Sequence, residues 1–248
     1  MSALTKEVKN NVLYIRINRP EKLNALNTAV IDEIANTVSN IESSIKAVVF
    51  CGCENAFSVG VDISEFSDLN QEKIYNLIGD KWQSVSTIKV PVICAVSGYV
   101  LGGGFELALM SDIIIASDTA KFGFPEINLG IMPGNGGTQR LVQIVGKHNA
   151  MQMLFTGEMI DAHKAMSMGI VNAVVSKCQL LKYAKNIAEK IAEKSYDSLI
   201  KIKKAVSIFD NSTIENGLIV EKEEFRSLFF SNFAKDKIKQ FLEKQTSH

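Results

Sequence analysis

The chain has 248 residues, 46% of them hydrophobic, so it is long enough for one large domain, or a domain with an appendage, around a well-buried core. Its 27 basic and 27 acidic side chains balance, which leaves no net charge to steer it toward nucleic acid or an anionic membrane. No apolar run approaches the roughly 20 residues of a membrane span. We therefore expect an ordinary soluble globular protein with neither nucleic acid nor membrane as a partner.

The first two thirds of the chain predict strands that alternate with helices. A strand is predicted at 12–18, and the short stretch before it leaves no room for a signal or transit peptide. The elements that follow are the loop RPEKLNALN, a helix at 28–43, a strand at 46–51, a helix at 71–88, a strand at 92–96, a helix at 103–110, and strands at 112–116 and 171–175. This alternation favours an α/β architecture with right-handed crossovers, either a spiral or an open sheet.

The pattern changes after residue 175, where four helices and no further strand are predicted. These helices span 180–193, 196–209, 212–230 and 233–244. No low-complexity linker precedes them. We predict a core at 1–190 that carries the active site and a helical segment at 191–248 that packs on the core or on a neighbouring subunit.

The cysteines lie in or beside apolar stretches, where a free thiol behaves as a small hydrophobe. We interpret all of them as reduced core residues of a cytoplasmic protein; they are Cys51, Cys53, Cys94 and Cys178. No recognised ligand spacing connects the cysteines with the histidines, which are His148, His163 and His248. No metal site is therefore predicted.

Three consecutive glycines, 102–104, stand directly before the predicted helix GFELALM. Glycine costs about 1 kcal/mol relative to alanine inside a helix, so the triplet calls for a reason. The first N–H groups of a helix lack intrahelical partners, and glycine lets a polar ligand atom approach them. The pattern indicates an anion site, for a phosphate or for an oxyanion that develops on a carbonyl. Glu106 in the first turn favours the oxyanion, because a carboxylate repels phosphate but suits proton transfer beside an enolate.

Each acidic motif also has a purely structural interpretation. Glu106 would complement the helix dipole, although the apolar neighbours in ELALM make a buried carboxylate without a role expensive. The stretch FGFPEINLGIMPGNGGTQRL would be an irregular loop with a solvated Glu126. In NAFSVGVDI, Gly60 would form a turn after a strand and Asp62 would cap the next helix.

Taken together, these stretches resemble the crotonase, or enoyl-CoA hydratase/isomerase, superfamily. The ordered match runs nearly end to end through NRPEKLNALN, AFSVGVDI, PVICAVSGYVLGGGFELALMSDIIIAS, FGFPEINLGIMPGNGGTQRL, FTGEMIDAHKAMSMGIVNAVV and FLEK. A glycine triplet alone is unspecific, but the whole series is specific for the superfamily. The resemblance implies an α/β fold, a crotonase-like spiral of ββα units with a C-terminal helical trimerisation segment, often assembled as a hexamer from two trimers. It also implies an acyl-CoA thioester as substrate.

The resemblance further implies roles for individual residues. The backbone N–H groups of Val61 and Gly103 match the oxyanion hole that holds the thioester oxygen as it gains enolate charge. Glu106 and Glu126 match the two glutamates that hydratases carry. By this pattern Glu126 donates the proton at Cα and Glu106 holds and activates the water. The N–H of Gly134 matches a contact to that water.

The coenzyme A contacts are also implied by the resemblance. Lys22, Leu23, Asn24 and Ala25 match the segment that lines the nucleotide and pantetheine. Lys244 in FLEK matches a lysine that reaches the coenzyme A phosphates of a neighbouring subunit.

The chain departs from the family pattern at the coenzyme A site and in the acyl pocket. Ser64 replaces a lysine of the family, so one phosphate contact is lost. Val59 and Val61 are bulkier than the alanines often found there, and Asn135 replaces a common alanine beside the expected water site. The pocket changes either narrow the choice of acyl chain or admit an extra hydrogen bond to a polar acyl group.

The leading hypothesis is an enoyl-CoA hydratase, a lyase of fatty acid β-oxidation that adds water reversibly to short or medium 2-trans-enoyl-CoA and gives 3-hydroxyacyl-CoA. It needs no metal or redox cofactor, since coenzyme A is part of the substrate. The alternatives are a Δ3-Δ2 enoyl-CoA isomerase, a hydratase for a specialised acyl-CoA, and a non-catalytic scaffold. RNA binding, as in one relative of the superfamily, is disfavoured because QEKIYNLIGDKWQSV offers only Lys73 and Lys81.

Overall fold

The computed structural model describes residues 2–68, 79–210 and 212–245. The chain divides into two compact units, Met1–Glu193 and Lys194–His248. All the strands that are described belong to the first unit, and the second is helical. Residues 71–78 of the helix predicted at 71–88 lie outside the described residues.

The strands of the first unit, in chain order, are β1 (Leu4–Lys9), β2 (Val12–Ile17), β3 (Ala47–Cys51), β4 (Ala56–Ser58), β5 (Val92–Val96), β6 (Tyr99–Leu101), β7 (Ile113–Ser117), β8 (Lys121–Gly123), β9 (Ile160–Asp161) and β10 (Ala173–Val175). Six of them form the main sheet in the order β1-β2-β3-β5-β7-β10, and the other four form a second sheet in the order β4-β6-β8-β9. Pairing is parallel except between β1 and β2 and between β8 and β9.

The helices, in chain order, are α1 (Thr28–Ser39), α2 (Asp80–Gln83), α3 (Gly103–Leu109), α4 (Gly137–Thr156), α5 (Ala162–Ser167), α6 (Leu180–Ala192), α7 (Tyr196–Ser207), α8 (Ile214–Phe229) and α9 (Asn232–Gln245). Short 3-10 helices span Pro20–Lys22, Ile63–Asp68, Ser84–Thr87, Pro125–Leu129, Lys177–Gln179 and Ile208–Asp210. Side-chain caps begin several α-helices; Asn27, for example, accepts a hydrogen bond from the N–H of Val30 at 3.0 Å.

The chain alternates between the two sheets as it advances. Each of β3, β5 and β7 in the main sheet leads to a short strand of the second sheet, and the last two of these strand pairs continue into α3 and α4. The predicted α/β architecture of ββα units is therefore confirmed. Strands β3 and β5 are buried along their whole length, as their continuous apolar runs require in a parallel sheet covered on both faces.

Small side chains bring α6 against the main sheet. Ala184, Ala188 and Ala192 lie at every fourth position of this helix and pack in one cluster with Val49 of β3 and Ala95 of β5. The alanines let the helix approach the sheet closely, and the cluster forms the core on this side of it.

Several elements went unpredicted for identifiable reasons. Strand β1 is joined to β2 by the two-residue turn Asn10–Asn11, with both residues at positive φ (51° and 60°), and the polar residues of β1 give it no apolar alternation. The second sheet consists of strands of two or three residues, too short to show an apolar period. Helix α4 starts within a glycine-rich stretch and is broken at Gly146 (φ 75°, ψ 161°), which masks its helical spacing. The helix predicted at 28–43 ends at Ser39.

All four cysteines are free thiols. Cys51 and Cys94 are buried in the main sheet and Cys53 is partly buried. The interpretation of Cys178 as a core residue is wrong: it is exposed in the 3-10 turn Lys177–Gln179 that follows β10. Burial raises the pKa of the Cys94 thiol to about 12.

No helix in the described part of the chain is long and apolar enough to span a membrane.

Gly104 allows α3 to lie directly on β4. A Cβ at this position would stand 2.5 Å from the carbonyl oxygen of Ser58 and 2.6 Å from its Cβ. Ser58 is the last residue of the buried strand β4, so neither atom can move away unless the strand itself shifts. The close packing of the first turn of α3, which carries Glu106, against the second sheet therefore requires glycine at position 104.

We expect Gly104→Ala to lower the free energy of unfolding by about 1–3 kcal/mol, since an overpacked core position forces a shift of the surrounding backbone. Urea denaturation followed by circular dichroism measures the change. Gly217→Ala in α8 is the matched control, because a Cβ there meets no described atom within 4 Å and alanine is the better helix former. Equal effects of the two substitutions would contradict this account of Gly104.

Candidate active site

The segment predicted to line coenzyme A lies beside the Val59–Val61 turn. Leu23 and Asn24 adopt left-handed backbone conformations (φ 48° and 57°), which fold the chain back after the 3-10 turn at Pro20–Lys22. The carbonyl of Leu23 then accepts a hydrogen bond from the N–H of Val59 at 3.2 Å, and Leu26 pairs with Val61 in a parallel bridge. The structure therefore places the segment that contains Leu23 and Leu26 beside the Val59–Val61 turn, although the two motifs are far apart in the sequence.

The side chain of Asn24 holds this segment together. It is fully buried; its Oδ1 accepts from the N–H of Arg19 at 2.8 Å and its Nδ2 donates to the carbonyl of Ala56 at 2.8 Å. Ala25 is also buried, whereas Lys22 and Leu23 are exposed. The amide of Asn24 thus stabilises the loop through its two backbone hydrogen bonds. The surface of this segment that a ligand can reach is formed by Lys22 and Leu23.

Asp62 fixes the other side of the same turn. Its carboxylate pairs with the Arg19 guanidinium at 3.0 Å, and its second oxygen accepts from the Ser64 hydroxyl at 2.6 Å and from the Ser64 N–H at 3.3 Å. The Ser64 hydroxyl, followed by Arg19, holds the pKa of Asp62 below its ordinary value. Asp62 thus accepts from the backbone at the start of the 3-10 helix Ile63–Asp68, as its structural interpretation predicts, and Ser64 is one of its partners.

The backbone conformation at position 102, the first of the triplet, requires glycine. Gly102 has φ 51° and ψ −128°, a conformation that side chains strongly disfavour, and a Cβ on it would stand 2.8 Å from Glu126 Oε1. The carboxyl group of Glu126 therefore rests directly on the turn that begins α3.

The second glycine meets the Val59–Val61 turn. A Cβ on Gly103 would lie 3.0 Å from the indole ring of Trp82 and 3.3 Å from Val61 Cγ2. Gly60, at φ 96°, approaches from the other side, since a Cβ on it would lie 2.9 Å from the backbone nitrogen of Gly103. The backbones of the two turns are therefore in direct contact.

Two backbone donors are available at this contact. Neither the N–H of Val61 nor that of Gly103 donates a hydrogen bond to another described residue. The neighbouring N–H of Gly60 is used, since it donates to the Ser58 hydroxyl at 3.1 Å. Adjacent unpaired N–H groups, one of them at a helix start, form a suitable cradle for a negatively charged oxygen.

Glu106 is a buried carboxylate with fixed partners. It is 2% exposed, and its Oε1 accepts hydrogen bonds from the N–H groups of Asn135 at 2.7 Å and Gly137 at 2.8 Å. Burial raises the pKa of Glu106, and these bonds, together with the side chain of Asn135 and the positive charge of Arg140, act in the opposite direction. The carboxylate is thus removed from water but supported in its charged form by donors.

Glu126 has much less support. It lies in the 3-10 helix Pro125–Leu129, and its Oε2 is buried without a hydrogen-bond partner among the described residues. Burial, with a smaller contribution from the charge of Glu106, raises the pKa of Glu126 to about 7. Two carboxyl groups of unequal proton affinity therefore share one site.

The loop PGNGG carries contacts that were not predicted. The carbonyl of Asn135 accepts from Arg140 Nη1 at 3.1 Å and from Gln83 Nε2 at 3.3 Å, while Arg140 Nη2 donates to Gln83 Oε1 at 3.0 Å. This network ties the loop to α2. The signal that sequence reasoning overlooked is the GNGG run at the start of a helix, which points N–H groups at a carboxylate. Gly134, expected to contact the water, is exposed beside Asn135.

This geometry does not include Lys244, which was predicted to contact coenzyme A, or the two lysines weighed for RNA binding. Lys244 belongs to α9, but its side chain lies outside the part that the structure describes. Of the two lysines weighed for RNA binding, Lys73 lies outside the described residues, and Lys81 pairs with Asp32 at 2.7 Å.

The arrangement is suited to acid–base chemistry next to a carbonyl. A pair of N–H donors can stabilise an oxyanion, and two carboxyl groups whose environments separate their proton affinities can act as acid and base. Among the described residues, no group of three or more His, Cys, Asp or Glu side chains is placed to hold a metal ion.

Comparison with known proteins gives consistent matches over almost the whole chain. The family model described as enoyl-CoA hydratase/isomerase matches residues 7–248. A probable enoyl-CoA hydratase of Rhizobium meliloti is 42% identical over 98% of this chain and 95% of that protein. The short-chain-enoyl-CoA hydratase of Clostridium acetobutylicum is 39% identical over 96% of this chain and 94% of that protein. The crystal structure of an enoyl-CoA hydratase from Bacillus anthracis has a TM-score of 0.93 and 32% identity, with coverage of 98% and 97% of the two chains.

We expect Glu126 to titrate near pH 7 and its pKa to fall in Glu106→Gln, because the substitution removes the negative charge that opposes ionisation of Glu126. Carbon-13 NMR of protein labelled at the glutamate carboxyl carbons measures the titration, and Glu126→Gln assigns the resonance.

Stability provides a second check with a defined sign. Native Glu126 binds its proton more tightly than the unfolded chain does, so its contribution to stability decreases as the pH rises from about 4.5 to about 7. Glu126→Gln should therefore be more stable than wild type at pH 8, with a smaller difference at pH 4. A Glu126 resonance that titrates near pH 4.5 would contradict both expectations.

Proposed function

The chain belongs to the enoyl-CoA hydratase/isomerase family, and we propose that it adds water reversibly to short or medium 2-trans-enoyl-CoA and gives 3-hydroxyacyl-CoA. The crotonase resemblance and the crotonase-type fold are confirmed by the comparisons. The protein is a hydro-lyase of fatty acid metabolism, since relatives named as enoyl-CoA hydratases share about 40% identity over nearly the full chain. The length of the acyl chain belongs to the proposal, and the short-chain-enoyl-CoA hydratase among the relatives supports it.

One observation carries the proposed mechanism: the buried carboxyl group of Glu106 and the partly buried carboxyl group of Glu126, which have unequal support, lie beside two unpaired backbone N–H groups. Glu126, with a pKa of about 7, keeps a proton in a large fraction of molecules at neutral pH and is a suitable acid. Glu106, held by two N–H donors, is a suitable base. An isomerase needs one such group to move a proton, whereas hydration uses both.

In the proposed reaction, the thioester oxygen binds to the N–H groups of Val61 and Gly103. The water oxygen forms a bond to Cβ while Glu106 takes one of the water protons, and the enolate charge on the thioester oxygen is stabilised by the two donors. Cα then takes the proton of Glu126. The two carboxyl groups return to their starting state by proton exchange, and no electrons are transferred.

Because hydration is a transfer of protons and water, the proposed reaction requires no redox cofactor, and coenzyme A enters as part of the substrate. We assign its nucleotide and pantetheine to the exposed edge at Lys22 and Leu23, with Asn24 and Ala25 as the buried base of that edge. Gly134 at the water site and Lys244 at the phosphates complete the proposed contacts. A cytoplasmic location is part of the proposal and is supported by the four free thiols.

We expect the wild type to convert crotonyl-CoA to 3-hydroxybutyryl-CoA, and Glu106→Gln and Glu126→Gln each to lower kcat by about 10²–10⁴, the usual contribution of a general acid or base. Loss of the enoyl-thioester absorbance measures the rate, and chromatography identifies the product.

The controls separate chemistry from binding and from folding. Both glutamine variants should keep the affinity of wild type for coenzyme A. Glu158→Gln, which changes an exposed carboxylate, should keep full activity. Migration of the double bond in a 3-enoyl-CoA without any hydration of crotonyl-CoA would instead support the isomerase.

We also propose a trimer or a hexamer, and we expect light scattering at micromolar concentration to give the mass of three or six chains. The support is the large aromatic surface of the C-terminal helices, where Phe225, Phe233 and Phe241 are each more than half exposed. Apolar surface of this kind is commonly covered by another subunit. A monomer under these conditions would overturn the proposal.

A further inference from the structure

Asn135, whose N–H binds the Glu106 carboxylate, carries an unpaired oxygen. It is 2% exposed, and its Oδ1 has no hydrogen-bond partner among the described residues. A buried acceptor that lost its water without gaining a donor costs about 1–3 kcal/mol, and folded proteins keep few of them. The three other such side-chain atoms in the described part of the chain are the Tyr14 hydroxyl, Trp82 Nε1 and Glu126 Oε2.

Both backbone polar groups of Asn135 are occupied. Its N–H donates to Glu106 Oε1 at 2.7 Å, and its carbonyl accepts from Arg140 and Gln83. Its side-chain amide acts on the same carboxylate, since it lowers the pKa of Glu106. The backbone of Asn135 is therefore fixed beside Glu106, and it sets the position of the side chain that carries the unpaired Oδ1.

Two unpaired oxygens lie on residues that interact with Glu106. Asn135 Oδ1 belongs to the residue whose N–H binds the Glu106 carboxylate, and Glu126 Oε2 belongs to the carboxyl group whose pKa Glu106 raises. An amide oxygen accepts hydrogen bonds and does not donate them, so the missing partner of Asn135 Oδ1 is a donor. The alkene carbons of an enoyl thioester carry no N–H or O–H group, whereas water has two O–H bonds.

We propose that Asn135 Oδ1 accepts a hydrogen bond from the water that attacks Cβ and, in the reverse direction, from the 3-hydroxyl group of the 3-hydroxyacyl thioester. This inference rests on the proposed hydration. One water proton passes to Glu106, the oxygen bonds to Cβ, and the second proton remains on that oxygen, held by Asn135. Two fixed acceptors orient the water so that its lone pair faces Cβ, which makes Asn135 a catalytic residue for water addition and not for proton transfer at Cα.

The experiment compares two reactions in one variant. Hydration of crotonyl-CoA needs the oriented water, whereas exchange of the α-protons of butyryl-CoA in D₂O needs only the oxyanion donors and Glu126. In Asn135→Ala we expect kcat for hydration to fall about three- to tenfold, the loss expected for one hydrogen bond, with the exchange rate within twofold of wild type. The preference of the enzyme for 3-hydroxybutyryl-CoA over butyryl-CoA as a ligand should fall by a similar factor.

Gln83→Ala serves as the control for a loosened loop, since it removes a contact to the carbonyl of Asn135 and leaves Oδ1 in place. A loosened loop lowers hydration and exchange together. Asn135→Ser replaces the alanine variant if the latter does not fold.

The outcomes are distinguishable. A wild type that does not hydrate crotonyl-CoA overturns the proposed function and this inference with it. A wild type that hydrates, beside an Asn135 variant that loses less than twofold or loses both reactions equally, overturns the role of Asn135 alone. Selective loss of hydration together with loss of the ligand preference supports it.

Discussion

The burial of the Glu106 carboxylate is the constraint on which the site depends. An ionised carboxylate in an apolar core is costly unless donors replace its water, and here the replacements are the N–H groups of Asn135 and Gly137. Asn135 lies in the glycine-rich loop ahead of α4 and Gly137 is the first residue of α4, so the start of α4 must meet α3 at hydrogen-bond distance. Arg140 and Gln83 then secure that loop through the carbonyl of Asn135.

The glycine triplet makes this meeting possible by a different contact at each position. Gly102 adopts a backbone conformation closed to side chains and leaves room for Glu126, Gly103 meets Val61 and Trp82, and Gly104 rests on β4. At each of the three positions a neighbouring group lies so close that a Cβ would collide with it. These contacts offset the cost of glycine at the start of a helix. The first turn of α3 thereby offers an unpaired N–H group and packs closely on its neighbours.

The sequence predicted what depends on local pattern or on an ordered series of motifs. The buried strand VICAV and the helix around Glu106 follow from apolar periodicity, and the family resemblance follows from motifs that run from NRPEKLNALN to FLEK. It did not predict contacts made at long range. The pairing of Leu26 with Val61, and the two N–H bonds to Glu106, join segments whose separation no period encodes. The strands of the second sheet escaped detection because two or three residues show no alternation.

The unequal support of the two carboxyl groups gives a physical reason for the proposed division of labour. A base must hold its charge while it waits for a proton, and Glu106 has donors that stabilise that charge. An acid must retain its proton near neutral pH, and the pKa of Glu126 is raised to about 7 by burial and, to a smaller extent, by the negative charge of Glu106. Neither tendency comes from the residue type, since both are glutamates. In the proposed mechanism, the direction of proton transfer is therefore set by burial and by the hydrogen bonds that the start of α4 makes to Glu106, and not by the residue type.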